Sequence, residues 1–264
     1  MTTSIIKNNL PRLLKKALAI LIWLVVWQLF AMAIDQEILV ATPIRVAQRL
    51  WELCGQRSFW ITTGFTILRI LAGFTLAIFC GVLLAALTTA FSFADALFRP
   101  LLSVIKATPV ASFIILALVW IRSNGVPVFA SFLMVLPFVW SNVSQGIRST
   151  SRELLEVAQI FRFGFWKTVS RVYLPSVLPY FFSAFTTGFG LAWKAGVAAE
   201  VIGNTRNSIG GQIYSSKLYL ETADLFAWTA VVIILSVVME RLLGRLLCAL
   251  NRRNAIALKK EAGG

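Results

Sequence analysis

Residues 70–91 contain not one Asp, Glu, Lys or Arg. A run of that length matches the roughly 20 residues needed to cross the hydrocarbon of a bilayer. Inside lipid every backbone N–H and C=O must find its partner within the segment, so a run like this one is read as a helix. Similar runs occupy 17–34 (interrupted only by Gln28), 107–121 (with Pro109 near its start), 126–147, 178–201 and 225–243. The third is short and borrows the preceding segment 100–106. The expectation is an all-α, polytopic membrane protein with about six transmembrane helices.

Composition agrees: 58% of the 264 residues are hydrophobic and 14% charged, too few charges for the surface of a soluble domain. The net charge of +14 could point to nucleic acid, but the cations form no stripe on a polar fold. They sit in short segments between the apolar runs, where they set topology. Nucleic acid is therefore not an expected partner; the lipid bilayer is. With the basic N-terminus inside, six spans put both termini in the cytoplasm. Most Lys and Arg then fall on the cytoplasmic side, Arg99, Lys106, Arg148 and Arg152 among them. The rival for the first run is a cleavable signal peptide, suggested by Lys7, Arg12, Lys15 and Lys16 before the apolar core and by residues 31–33 after it. That core is long for a signal peptide. The domain division that follows is a cytoplasmic segment 1–16, one transmembrane domain 17–250 and a basic cytoplasmic tail 251–264.

The chain has no histidine, and Cys54, Cys80 and Cys248 are scattered without a CxxC pair. Neither a zinc site nor a histidine-based catalytic centre can be assembled. No catalytic residues and no metal ligands are expected, and the chain is not expected to be an enzyme.

The informative polar stretch is the basic loop 148–175. Residues 151–160 favour a short helix with Ser151 as its N-cap. A break follows at Arg162-Phe163-Gly164, and a second short helix spans about 166–173, stopped by Pro175. Phe161, Phe163 and Phe165 would then present aromatic surface to the cytoplasm, and such surface needs a partner. A helix lying on the lipid headgroups is the competing reading.

This loop resembles the "EAA" signature of the membrane subunits of bacterial ABC importers. Glu156, Ala158, Val172, Leu174 and Pro175 match it at the proper spacing; Val157 replaces an Ala, and Arg162 stands where the motif has Gly, with Gly164 two residues later. Ala107-Thr-Pro-Val-Ala-Ser112 and Leu191-Ala-Trp-Lys-Ala-Gly-Val-Ala-Ala-Glu-Val-Ile-Gly203 are similar to segments of the nitrate, sulfonate and taurine permeases. The likeness covers about residues 40–245. It implies a type I ABC importer permease in the bacterial inner membrane. Glu156, Ala158, Phe161, Arg162, Phe163, Gly164, Leu174 and Pro175 would dock a separate ATPase. The implied partners are an ATPase subunit dimer, an extracytoplasmic substrate-binding protein and a second permease copy. No G-x-x-x-x-G-K-[ST] loop is present to cradle phosphates, so ATP and Mg would be used by the partner chain and no cofactor by this one.

In the fifth run Ala184, Gly188, Ala192 and Gly196 fall at spacing four, a stripe that lets helices approach closely. It suits either a two-fold interface between copies or packing inside one chain. Lys194 and Glu200 are ionisable groups in or at the end of an apolar span, where function is the usual reason for them. A Lys facing the pathway would attract an anion such as a sulfonate, taurine or nitrate; the alternative is that Lys194 snorkels or pairs. Trp193, Trp140 and Asn142 are further candidates for the same path. The resemblance also admits a thiamine-precursor pyrimidine as cargo, and a stand-alone secondary transporter is the more distant alternative.

Overall fold

The computed structural model describes residues 12–34, 36 and 38–262, and every regular element among them is helical. Residues 1–11 of the expected N-terminal segment and 263–264 of the tail lie outside them. So do the side chains of Lys16, Cys248, Arg252, Arg253, Lys259 and Lys260. The order is α1 (Arg12–Ile34), α2 (Pro43–Cys54), α3 (Arg57–Ala90), α4 (Ser92–Ala107), α5 (Val110–Ala117), α6 (Val126–Arg148), α7 (Arg152–Ile160), α8 (Phe165–Thr168), α9 (Leu174–Ile202), α10 (Ile209–Leu218) and α11 (Thr222–Ala262). A π-helical turn, Val169–Tyr173, joins α8 to α9.

Among the described residues four helices, α1, α3, α6 and α11, are long and apolar enough to cross a membrane; α4 and α5 together supply up to a fifth span, bent by 101° at their break. The break falls at Thr108-Pro109, where Pro109 has no N–H to give and its ring disfavours helix in the residue before it. The expected fifth span, 178–201, falls in α9, which has the length, at 29 residues, but is not among the helices that qualify on length and apolarity together. Its polar and small residues are tolerated because much of its surface is covered by α3, α6 and α11 rather than by lipid.

Three further differences from the expectation have physical causes. The second span starts at Arg57, not at residue 70, because Arg69 does not end the helix: its charge is met by Glu200, with Nη1 3.6 Å from Oε1. Lys106 lies in the last turn of α4, one arm of the bent pair, rather than in a loop. Pro175 does not stop the second loop helix, because the widened π turn precedes it and the chain runs on into α9.

The core is a triplet of helices, α3, α6 and α9, closed around Ile70, Phe74, Val135, Val139, Phe189 and Trp193. Their closeness depends on missing side chains. A Cβ on Gly196 would lie 2.5 Å from Ile70 Cγ1 and 2.7 Å from Ser131 Oγ. One on Gly81 would lie 2.8 Å from Val139 Cβ. The stripe Ala184, Gly188, Ala192 and Gly196 is thus buried within the chain, where Gly188 and Gly196 face α3 and α6. Ser131 fastens the same contact by donating to the carbonyl of Ala192 at 3.0 Å.

Gly196→Ala is expected to destabilise the bundle by about 1–3 kcal/mol through overpacking. Gly64→Ala, where a Cβ meets nothing within 4 Å, should be neutral or mildly stabilising. Thermal unfolding of the detergent-solubilised protein measures both.

Candidate functional site

The loop between α6 and α9 is built as a rigid corner. Ser151 caps α7, its hydroxyl accepting from Leu154 N at 3.4 Å. At the other end the helix closes on Phe161. The Arg162 N–H donates to the carbonyl of Gln159 at 3.0 Å, and the Phe163 N–H reaches back to that of Ala158 at 2.8 Å. These two bonds form a Schellman cap, which requires a left-handed residue between them. Arg162 is that residue, at φ 52°. The position is one where glycine costs nothing and a side chain costs about 1 kcal/mol. Gly164, by contrast, has φ −66° and makes no use of a glycine's freedom. The departure at Arg162 therefore changes the cost of the turn and not its shape.

Ala158 is buried, as is Val172 of the π turn, against which α7 packs. A larger residue at 158 would push α7 off that turn. Leu174 and Pro175 are exposed at the start of α9, and Glu156 is exposed on α7. Ile160, Phe161, Phe165 and Trp166 are 71–80% exposed and form an aliphatic and aromatic surface around the corner. Phe163 is half-buried, with Lys167 Nζ 4.2 Å above its ring. Trp166, the most exposed of the aromatics, was not singled out from the sequence, although its neighbours Phe163 and Phe165 pointed to the same surface.

The five residues expected along a substrate path do not gather at one place. Glu200 is fully buried: Oε2 accepts from Thr66 Oγ1 at 2.9 Å and Gly210 N at 3.2 Å. Thr66 in turn accepts from Ile209 N at 2.9 Å, and Arg69 donates to the carbonyls of Asn207 and Arg206. Glu200 thus ties α3, α9 and the start of α10 into one knot. Trp193 is also buried, donating to the carbonyl of Val232 on α11 at 3.2 Å. Asn142 donates to Phe138 of its own helix at 2.9 Å.

Trp140 donates to Thr88 Oγ1 at 2.9 Å, and one edge of it lines a cavity of about 190 Å³ with Arg99, Ser144 and Arg148. Lys194 is exposed on the side of α9 turned away from the core. The Arg69–Glu200 pair and the position of Lys106 were not foreseen. The one available hint was that Arg69 and Lys106 adjoin runs otherwise free of charge.

Comparison with known proteins follows the same lines. The family model for the binding-protein-dependent transport system inner membrane component matches residues 73–253. The bicarbonate transport system permease of Synechococcus elongatus is 24% identical over 232 residues, 83% of this chain and 82% of that one. The nitrate import permease of Leptolyngbya laminosa is 23% identical over 210 residues, covering 75% and 74%. The riboflavin transport system permease of Chloroflexus aurantiacus is 27% identical over 215, covering 78% and 80%. A solved amino acid ABC transporter with histidines superposes with a TM-score of 0.61 at 17% identity, over 74% of this chain and 94% of that one, which shows a shared fold.

Arg162→Gly should relieve the left-handed strain and slow hydrogen exchange of the Phe163 amide about fivefold, whereas Arg162→Val should speed it. Exchange measured by mass spectrometry on peptides covering 158–166 reads both directions.

Proposed function

The chain belongs to the family of binding-protein-dependent transport system inner membrane components, and on that footing we propose that it is the permease subunit of an ATP-driven importer of a small anion. Two copies would form the pore, with both termini of each in the cytoplasm, 1–16 and 251–264 flanking the membrane domain 17–250. ATP and Mg are used by a dimer of ATPase subunits, one docked on each coupling loop, and an extracytoplasmic binding protein delivers the cargo. Family membership sets aside the stand-alone secondary transporter, and the permeases for bicarbonate and nitrate among the relatives favour an anion over a pyrimidine.

Exposed Ile160, Phe161, Phe165 and Trp166 carry the docking reading. They stand on a corner fixed by two caps, outside the apolar spans, so their surface is held ready for another protein. Buried aromatic anchors dominate the energetics of such contacts. The loop is joined without a break to α9 through the π turn, so a push on the corner bears directly on the helix at the centre of the bundle.

Co-purification tests it. The tagged chain should recover its ATPase, Glu156→Ala should weaken that association at least about tenfold, and deletion of 161–163 should abolish it. Association that survives both changes would overturn the docking role.

A further inference from the structure

We propose that Lys106 is an anion-binding group inside the membrane, seated at the mouth of a cavity beside the break between α4 and α5. Its depth follows from its neighbours. Asp95, in the first turn of α4, meets Arg148, the last residue of α6, at 3.4 Å, which places the start of α4 at the coupling-loop end. Lys106, exposed in the last turn of α4, stands beside Trp140 of the spanning helix α6, which lies roughly 12 Å back from Arg148 at 1.5 Å per residue and so well within a hydrocarbon layer roughly 30 Å thick. Its ammonium is 5.7 Å from the centre of the Trp140 ring. It borders a cavity of about 290 Å³ whose other walls include Leu133, Met134, Pro137 and Leu191.

What marks this lysine is the absence of a counter-ion among the described residues. Asp95 and Arg99 of the same helix pair at 2.6 Å, and Arg69 has Glu200; no carboxylate lies within 4.0 Å of Lys106. A cation at membrane depth is costly unless paired, and such residues mark solute pathways. The ring face of Trp140 compensates part of the charge, and the C-terminal end of α4 a further part. Neither neutralises it. Lys194 stands one turn beyond Leu191 on α9, exposed and also without an ion-pair partner among the described residues.

The lining sets the chemistry. One ammonium among aliphatic walls offers one full charge and few other donors, so it suits a monoanion that gives up water readily and rejects a dianion, whose desolvation a single charge cannot offset. The expected ligands are nitrate and a small alkanesulfonate, whose methyl group finds the apolar wall; sulfate is the expected non-ligand. The inference rests on the anion-import reading and deepens it by naming the site.

The test uses the permease–ATPase complex in nanodiscs, without binding protein, titrated calorimetrically with sodium nitrate, sodium methanesulfonate and sodium sulfate. Wild type should bind the first two and not the third. Lys106→Gln should lose at least about tenfold in affinity while still retaining the ATPase, and Lys106→Arg should stay within about threefold. On wild type itself, saturating nitrate should protect Lys106 from acetylation, read by mass spectrometry, which keeps the site testable if the variant fails to assemble. Unchanged binding in Lys106→Gln, or no protection, overturns the site while leaving anion import standing. A wild-type complex that binds none of the monoanions, in a transporter that imports a neutral or cationic solute, overturns both.

Discussion

The close approach of α3, α6 and α9 is the contact on which the rest of the molecule depends. In lipid no hydrophobic force drives helices together, so association rests on packing and on a few interhelical hydrogen bonds. Here Gly81 and Gly196 remove the side chains that would hold the helices apart, and Ser131 bonds across the seam they create. The enclosure so formed makes the polar content of α9 tolerable. Glu200 is held at its outer end by Thr66, Gly210 and Arg69, all brought within reach by the same packing. A helix in this position can carry charge because little of it meets hydrocarbon.

The same helix is continuous with the exposed corner at the other end of the bundle. The π turn at Val169–Tyr173 lets Pro175 sit in the first turn of α9 without breaking the chain's direction, so α8 and α9 form one mechanical member. Ala158 and Val172 pack the short α7 onto that member. The Schellman cap at Arg162 then fixes how the aromatic surface is presented. A corner with this many bonded backbone groups moves as a unit, which is the property a coupling element needs.

Much of this was legible in the residues. The apolar runs placed the spans within a few residues for α1, α6 and α11, and the stretch from Glu156 to Pro175 marked out the corner built by α7, α8 and the π turn. What escaped the reading shares one cause: the partner lay far away in the chain. Arg69 looked like the edge of a span because its carboxylate is 131 positions away. The small-residue stripe announced close packing but not with what. Lys106 read as a topology cation because only the fold brings it beside Trp140 of α6. Arg162 was visible as a departure from Gly, yet its meaning needed a backbone angle.

The central claim is that this chain moves its cargo only as part of an ATP-driven assembly. Uptake into proteoliposomes containing the permease and ATPase, with binding protein added outside and nitrate or bicarbonate as cargo, tests it most directly. The account predicts accumulation only when ATP is enclosed and binding protein is present, and none from the permease alone. Uptake by the permease alone, driven by an ion gradient and indifferent to ATP, would contradict it.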